Sequence, residues 1–168
     1  MSSSGAPALS ALDGTGIRIT IVAGRWHDEI ASGLLAGAHR YLATTGATVS
    51  VVSVAGSFEL PVVAKAALDS GADAVVALGV IIRGGTPHFE YVSDAATSGL
   101  TSVSVLTGKP VGFGVLTVDT EQQGIDRAGL PGSKEDKGAE AAEDALATAL
   151  TIRSLRVQEA SRPPGEVG

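Results

Sequence analysis

Cysteine is absent from the 168-residue chain. Its absence excludes a disulfide framework, a thiolate zinc site, an iron–sulfur cluster and a cysteine nucleophile. Aromatic residues are scarce, with one Trp, two Tyr and three Phe. A core with so few rings must be built from small and β-branched residues, which suits a sheet with helices packed close against it. Positive charge is in deficit: 12 Lys and Arg against 18 Asp and Glu leave a net charge of −6. That argues against binding to bulk nucleic acid or an anionic membrane. No 18-residue apolar run is free of polar breaks, so no transmembrane helix is expected. The opening MSSSGAPALSALDGTG lacks a basic n-region and a continuous apolar h-region, so it does not read as a signal peptide, and a cytoplasmic location is expected.

What is present suits one folded domain. Hydrophobic residues make up 44% and charged residues 18%, which excludes disorder for the bulk of the chain. Residues 1–16 are rich in Ser, Gly, Ala and Pro and lack periodicity, so they read as a flexible arm, and residues 159–168 read as a flexible tail. Between them, over residues 17–158, apolar runs alternate with helical patterns. Strands are expected at 17–23 (IRITIVA), 48–54 (TVSVVSV), 74–82 (AVVALGVII) and 111–118 (VGFGVLTV). Helices are expected at 28–44, 60–70, from about His88, and 135–157. Thr120 to Gln123 has capping-box spacing and opens a short helix that stops at Gly129. Residues 100–106 (LTSVSVL) alternate like a strand and equally continue the helix from His88. The alternation implies right-handed crossovers and a four-stranded parallel sheet between two layers of helices.

In such sheets, ligands bind outside the carboxyl ends of the strands. The loop after the first strand carries Trp26, the only tryptophan, which reads either as a core aromatic or as a surface for stacking a heteroaromatic ring. The loop after the second contains Gly56-Ser57-Phe58-Glu59. Gly56 admits close backbone approach, and Glu59 reads either as a helix-dipole carboxylate or as an acceptor for ligand hydroxyls. The loop after the third, Arg83-Gly84-Gly85-Thr86-Pro87-His88, has the ingredients of an anion cradle: two glycines, a hydroxyl and a helix N-terminus. His88 reads either as a capping residue or as a general acid/base beside a bound anion. Arg127 is either a helix C-terminal cation or a phosphate ligand, and Lys137 a solvated residue unless context says otherwise. Neither GxxxxGK[ST] nor GxGxxG occurs, and Gly112-Phe113-Gly114 falls inside a strand. His27, His39 and His88 lack metal-ligand spacing.

Taken together, Val80-Ile81-Ile82-Arg83-Gly84-Gly85-Thr86-Pro87-His88-Phe89-Glu90-Tyr91-Val92, Gly56 to Pro61, Gly114 to Thr117, Asp126 to Gly129 and Lys137-Gly138 resemble the 6,7-dimethyl-8-ribityllumazine synthase family. The resemblance runs from about Ile17 to Arg156. It implies a single-domain, three-layer α/β sandwich of the flavodoxin-like kind. The implied activity condenses 5-amino-6-(D-ribitylamino)uracil with 3,4-dihydroxy-2-butanone 4-phosphate, releasing phosphate and water, in riboflavin biosynthesis, without cofactor or metal. Carried over by position, Trp26 stacks on the pyrimidine, Ser57, Phe58 and Glu59 bind ring and ribityl chain, and Val80, Ile81 and Ile82 contact the pyrimidine. Gly85 and Thr86 cradle the phosphate and His88 moves the proton. Phe113 and Arg127 come from a neighbouring subunit, with Lys137 near the phosphate. Apart from Arg127 and Lys137, each is expected at or next to a strand's carboxyl end. The family continues the helix from His88 through Leu106.

The implied partners are the two small-molecule substrates, further copies of the chain in a homopentamer able to pair into a decamer, and riboflavin synthase. Two departures stand out. His27 replaces an Asn common in the family, and residues 130–136 form a longer segment than the Gly-Asn-Lys-Gly turn of sixty-subunit shells, as in pentameric members. Other readings are a non-catalytic lumazine- or flavin-binding relative and a shell component.

Overall fold

The β-branched runs form four strands that pair side by side without a hairpin. The computed structural model describes residues 8–163. The strands are β1 (Arg18–Gly24), β2 (Thr48–Val54), β3 (Ala74–Ile82) and β4 (Val111–Val118), all parallel in the order β2-β1-β3-β4. Register pairs Ile21 with Val51 and Val76, and Ala77 with Phe113. Helices α1 (Asp28–Leu42), α2 (Leu60–Asp69), α3 (His88–Thr107), α4 (Glu121–Ile125) and α5 (Lys137–Ala160) complete the chain.

Crossover handedness explains the layers. The chain steps outward from β1 to β2, then back across β1 to β3 and on to β4. Right-handed connections therefore place α1 on one face and α2 and α3 on the other. α5 returns to pack beside α1. On that face, Ile19, Ile21, Leu34, Leu42, Ala142 and Leu146 are buried in one cluster; on the opposite face Val22, Leu60, Leu68, Val75, Leu100 and Val115 form a second. The small-residue core is literal here. A Cβ at Gly138 would lie 2.0 Å from the Leu34 carbonyl oxygen, and one at Gly112 would lie 2.1 Å from that of Ala141. Backbone contacts this close leave no room for any side chain.

Several local expectations change. The stretch 100–106 is helical: Ala96, Leu100 and Val103 point inward at helical spacing, while Val105 and Leu106 are 75% and 80% exposed. The helix ends where Gly108 takes a left-handed φ of 66°, which is cheapest for glycine. The short helix after Thr120 stops at Ile125 rather than Gly129, because a turn already begins there, with the Arg127 and Ala128 amides bonded to Gly124 and Ile125 carbonyls. Thr120 Oγ1 accepts from Gln123 N, but Gln123 Oε1 accepts from Asp119 N, one residue before the cap. α5 begins at Lys137 instead of Glu135, since Asp136 is the N-cap and accepts from Ala139 N at 3.0 Å.

Of the arm expected over 1–16, residues 1–7 lie outside the described residues. Ser10 O accepts from Tyr41 Oη at 3.0 Å, Leu12 packs on the larger cluster and Gly14 N donates to Thr45 O. Of the tail, residues 164–168 lie outside the described residues, and α5 reaches Ala160.

Candidate functional site

With strand order β2-β1-β3-β4, the connections leaving β1 and β3 depart to opposite faces, which opens a crevice at their carboxyl ends. A cavity of about 660 Å³ lies there. Its wall is made by Trp26 and His27 after β1, by the 56–59 segment after β2, by Val80, Ile81 and Ile82 at the end of β3, and by His88, Tyr91 and Val92 on the first turns of α3. That volume suits a small organic molecule. The lining is largely apolar, with a few polar groups that can fix orientation.

Each wall has a local cause. His27 is the one non-glycine residue with positive φ among the described residues, at φ 60° and ψ 66°. It is the N-cap of α1 without a side-chain cap. Asn and His are both enriched in this left-handed region, which accounts for a position that takes either residue. The tight turn projects Trp26 outward, 67% exposed. A core role for this indole is thereby excluded within the subunit. A Cβ on Gly56 would sit 3.1 Å from Trp26 Cδ1, so the glycine admits the indole edge rather than a ligand.

After Gly56, Ser57–Glu59 make one 3₁₀ turn that leads into α2, with Pro61 in its first turn. Glu59 Oε2 accepts from Gly56 N at 3.0 Å. The carboxylate is thus held at the helix entrance with its other oxygen free of protein hydrogen bonds among the described residues. Phe58 is exposed beside the cavity, whereas Ser57 is buried, with its hydroxyl unpaired among the described residues. A Cβ on Gly79 would meet that hydroxyl at 2.4 Å, so Ser57 fills the notch above the strand. His88 is the first residue of α3, beside Ile82 and Tyr91 in the wall.

Eight of the expected residues therefore converge: Trp26, Ser57, Phe58, Glu59, Val80, Ile81, Ile82 and His88. Tyr91 and Val92 were missed as wall residues, although helical spacing from His88 would have placed them there. Gly85 and Thr86 are exposed in the loop that precedes His88 and do not line the cavity. Phe113 requires a correction. It is the third residue of β4, opposite Ala77, rather than at a carboxyl end, and its ring is exposed. Arg127 follows α4, where Nη1 donates to Gln123 O at 2.9 Å. Lys137 is not a solvated residue: its ammonium lies 2.7 Å from both Glu135 and Glu140. Burial draws its pKa down, but the hydrogen bonds to Glu135 and Glu140 more than offset this and hold it above the usual lysine value. None of these last three reaches the cavity of its own chain.

Residues 130–136 are tied down rather than open. Ala128 bridges Asp136, Lys134 and Glu135 amides bond to Asp126 O, and Lys134 Nζ pairs with Asp126 at 2.6 Å. That ammonium, and then the Gln122 amide, hold the Asp126 carboxyl below its usual value.

Comparison with known proteins agrees with this arrangement. Residues 16–153 match the 6,7-dimethyl-8-ribityllumazine synthase family. A 6,7-dimethyl-8-ribityllumazine synthase of Clavibacter michiganensis subsp. michiganensis is 74% identical over 158 residues, 93% of this chain and 99% of the relative. The enzyme of the same name from Leifsonia xyli subsp. xyli is 71% identical over 157 residues, 93% of this chain and 99% of the relative. That of Streptomyces coelicolor is 56% identical over 156 residues, 92% and 97%.

Proposed function

The chain belongs to the 6,7-dimethyl-8-ribityllumazine synthase family and is a transferase of riboflavin biosynthesis that forms this lumazine; we propose that the reaction takes place in the cavity at the carboxyl edge of the sheet. The observation that carries this reading is the convergence of Trp26, Glu59, the end of β3 and His88 from four separate segments on one cavity.

The substrates are 5-amino-6-(D-ribitylamino)uracil and 3,4-dihydroxy-2-butanone 4-phosphate. Trp26 offers its exposed face to the pyrimidine, and the backbone of Val80 to Ile82 offers peptide groups to the ring's edges. Glu59, anchored by Gly56 N, accepts hydrogen bonds from ribityl hydroxyls. The loop Gly84-Gly85-Thr86 and the N-terminus of α3 receive the phosphate of the butanone. The primary amine attacks the ketone, and loss of water gives an imine. Phosphate then leaves, the ring closes and a second water departs. His88, adjacent to the phosphate loop, is the group placed to protonate the departing oxygen and to accept protons during ring closure.

Part of the site comes from a second copy. Arg127 and Phe113 lie outside their own chain's cavity, and Phe113 is exposed on the edge strand. We assign both to the cavity of the next subunit, with Arg127 on the phosphate and Lys137 nearby. The assembly is a homopentamer of about 5 × 16.7 = 83.5 kDa, able to pair into a decamer. The protein acts in the cytoplasm and passes its product to riboflavin synthase.

The deciding experiment mixes both substrates with the pure protein and follows lumazine absorbance and phosphate release together. Equimolar formation of the two products is expected. Binding of the product without turnover would replace the enzyme reading with that of a lumazine-binding relative, and particles of sixty subunits in electron micrographs would overturn the pentamer.

A further inference from the structure

Arg83 stands at the threshold of the phosphate loop without pointing its charge at an open site. It follows β3 directly, and its amide donates to Val118 O at 2.9 Å, which extends the pairing with β4 by one residue. Its guanidinium is engaged on three sides. Nε donates to Asp119 Oδ1 at 2.7 Å, just beyond β4. Nη1 pairs with Glu90 in the first turn of α3. The face of the group lies 4.1 Å from the centre of the Phe89 ring. Three contacts on two different elements fix a planar group that lysine could not imitate.

The charge sum argues against Arg83 as a phosphate ligand. One guanidinium and two carboxylates give 1 − 2 = −1, and a further anion gains nothing there. The Arg83 hydrogen bond holds the Glu90 carboxyl below the usual carboxylate range.

The loop itself has little else to hold it. Cβ atoms added at Gly84 and Gly85 would meet nothing within 4 Å. Among the described residues no side-chain hydrogen bond reaches Gly84, Gly85, Thr86 or His88. The guanidinium links the residue that begins the loop to Phe89 and Glu90, which follow it, and so closes the loop as a staple. The same group leads onward. Asp119 N donates to Gln123 Oε1 at 2.8 Å, and Gln123 O accepts from Arg127 Nη1 at 2.9 Å. One chain of polar contacts thus runs from the first turn of α3 to Arg127.

We propose that Arg83 is a positioning residue for phosphate recognition: it holds the 84–88 loop against α3 and, through Asp119 and Gln123, orients Arg127. The proposal rests on reading that loop and Arg127 as the phosphate contacts. In the shared-site arrangement, Arg83 couples the loop of one site to the arginine that the same subunit presents to its neighbour.

Steady-state kinetics of the assembled enzyme test it, with KM measured separately for each substrate and product affinity read from Trp26 emission. Arg83→Gln is expected to raise the KM for the butanone phosphate about tenfold and to lower kcat, since misplacement of about 1 Å is enough for large kinetic losses. The KM for the ribitylaminouracil and the product affinity should change less than about twofold, because Trp26 and Glu59 are held independently of Arg83. Arg83→Lys should fall between, since an ammonium holds one carboxylate but cannot span both. Added methylguanidinium should lower the raised KM of Arg83→Ala, a reversal that general destabilisation would not show. If Arg83→Gln fails to assemble, Asp119→Ala removes one arm only and should raise the same KM. Equal losses for both substrates, or an unchanged butanone phosphate KM, overturn the proposal. Thr86→Ala and Arg127→Lys serve as controls. If they raise that KM and the Arg83 and Asp119 variants do not, the positioning role alone falls. If they also leave it unchanged, the phosphate reading falls and the positioning role with it.

Discussion

The two faces of the sheet are covered with very different thoroughness. On the α1/α5 face, helix and sheet backbones approach until only small residues fit, as at Gly112 and Gly138, and the larger apolar cluster is buried there. On the α2/α3 face the cluster is smaller, and Val62, Val105 and Leu106 stay exposed, as does Val52 on edge strand β2. The cavity lies at the carboxyl end of this second side, walled by the 3₁₀ turn and α3. The more tightly packed face secures the fold, whereas the more open one can present side chains to ligands and to other copies of the chain.

The sharpest break of that comparison is kinetic. His88→Ala should lower turnover roughly 10²–10⁴-fold, the usual worth of positioned acid–base catalysis, with the melting temperature almost unmoved. A stopped-assay rate at saturating substrates checks it, and a variant with parental turnover would remove His88 from the chemistry. Next comes a paired truncation. Leu146→Ala on the closed face should cost about 2–5 kcal/mol in denaturant unfolding, through lost burial and the cavity left behind. Leu106→Ala on the open face should change subunit stability by less than about 0.5 kcal/mol. Light scattering on the same samples shows whether Leu106 instead matters for assembly.

Smaller effects sharpen the picture. Trp26→Ala should weaken binding of the lumazine product by about 1–3 kcal/mol, by analogy with base–aromatic stacking, while Trp26→Phe largely preserves it. In the parent, product should quench indole emission saturably; corrected emission that stays flat would place the ring away from the ligand. Last is Lys137→Met, expected to cost about 1 kcal/mol at neutral pH by leaving Glu135 and Glu140 without their cation. The folded-state pKa of Lys137 lies above its ordinary value of 10.5, so its contribution is fully present below that pH and fades as pH rises through the higher folded value. Unfolding curves of parent and variant should therefore converge in strong alkali. A raised butanone phosphate KM in this variant would point to an added role at the phosphate.

Much of this was legible in the residues. Four β-branched runs marked the strands, and the boundaries of β2, β3 and β4 were read correctly. The loop motifs located the cavity wall because parallel strands deliver every carboxyl end to one edge. Residues 100–106 resisted, since alternation of Leu, Val and Ser satisfies both periods over so short a run; only the neighbours of Leu100 and Val103 decide between them. His27 resisted for another reason: the enrichment of His in the left-handed region is too weak for its identity alone to mark the turn.

The sequence alone determined the layer architecture, the parallel sheet and the edge where chemistry gathers, because periodicity, turn residues and crossover handedness are local or nearly universal. Only the tertiary structure decided which groups remain free to act. Lys137 read as a solvated residue and Arg83 stood only as part of a loop motif, yet each spends its charge on carboxylates brought close by folding. Glu135 and Glu140 are near Lys137 along the chain, but Asp119 reaches Arg83 from just beyond β4, 36 residues away. Pairing of that kind depends on strand register and loop path, and these are set by the packing of the whole chain.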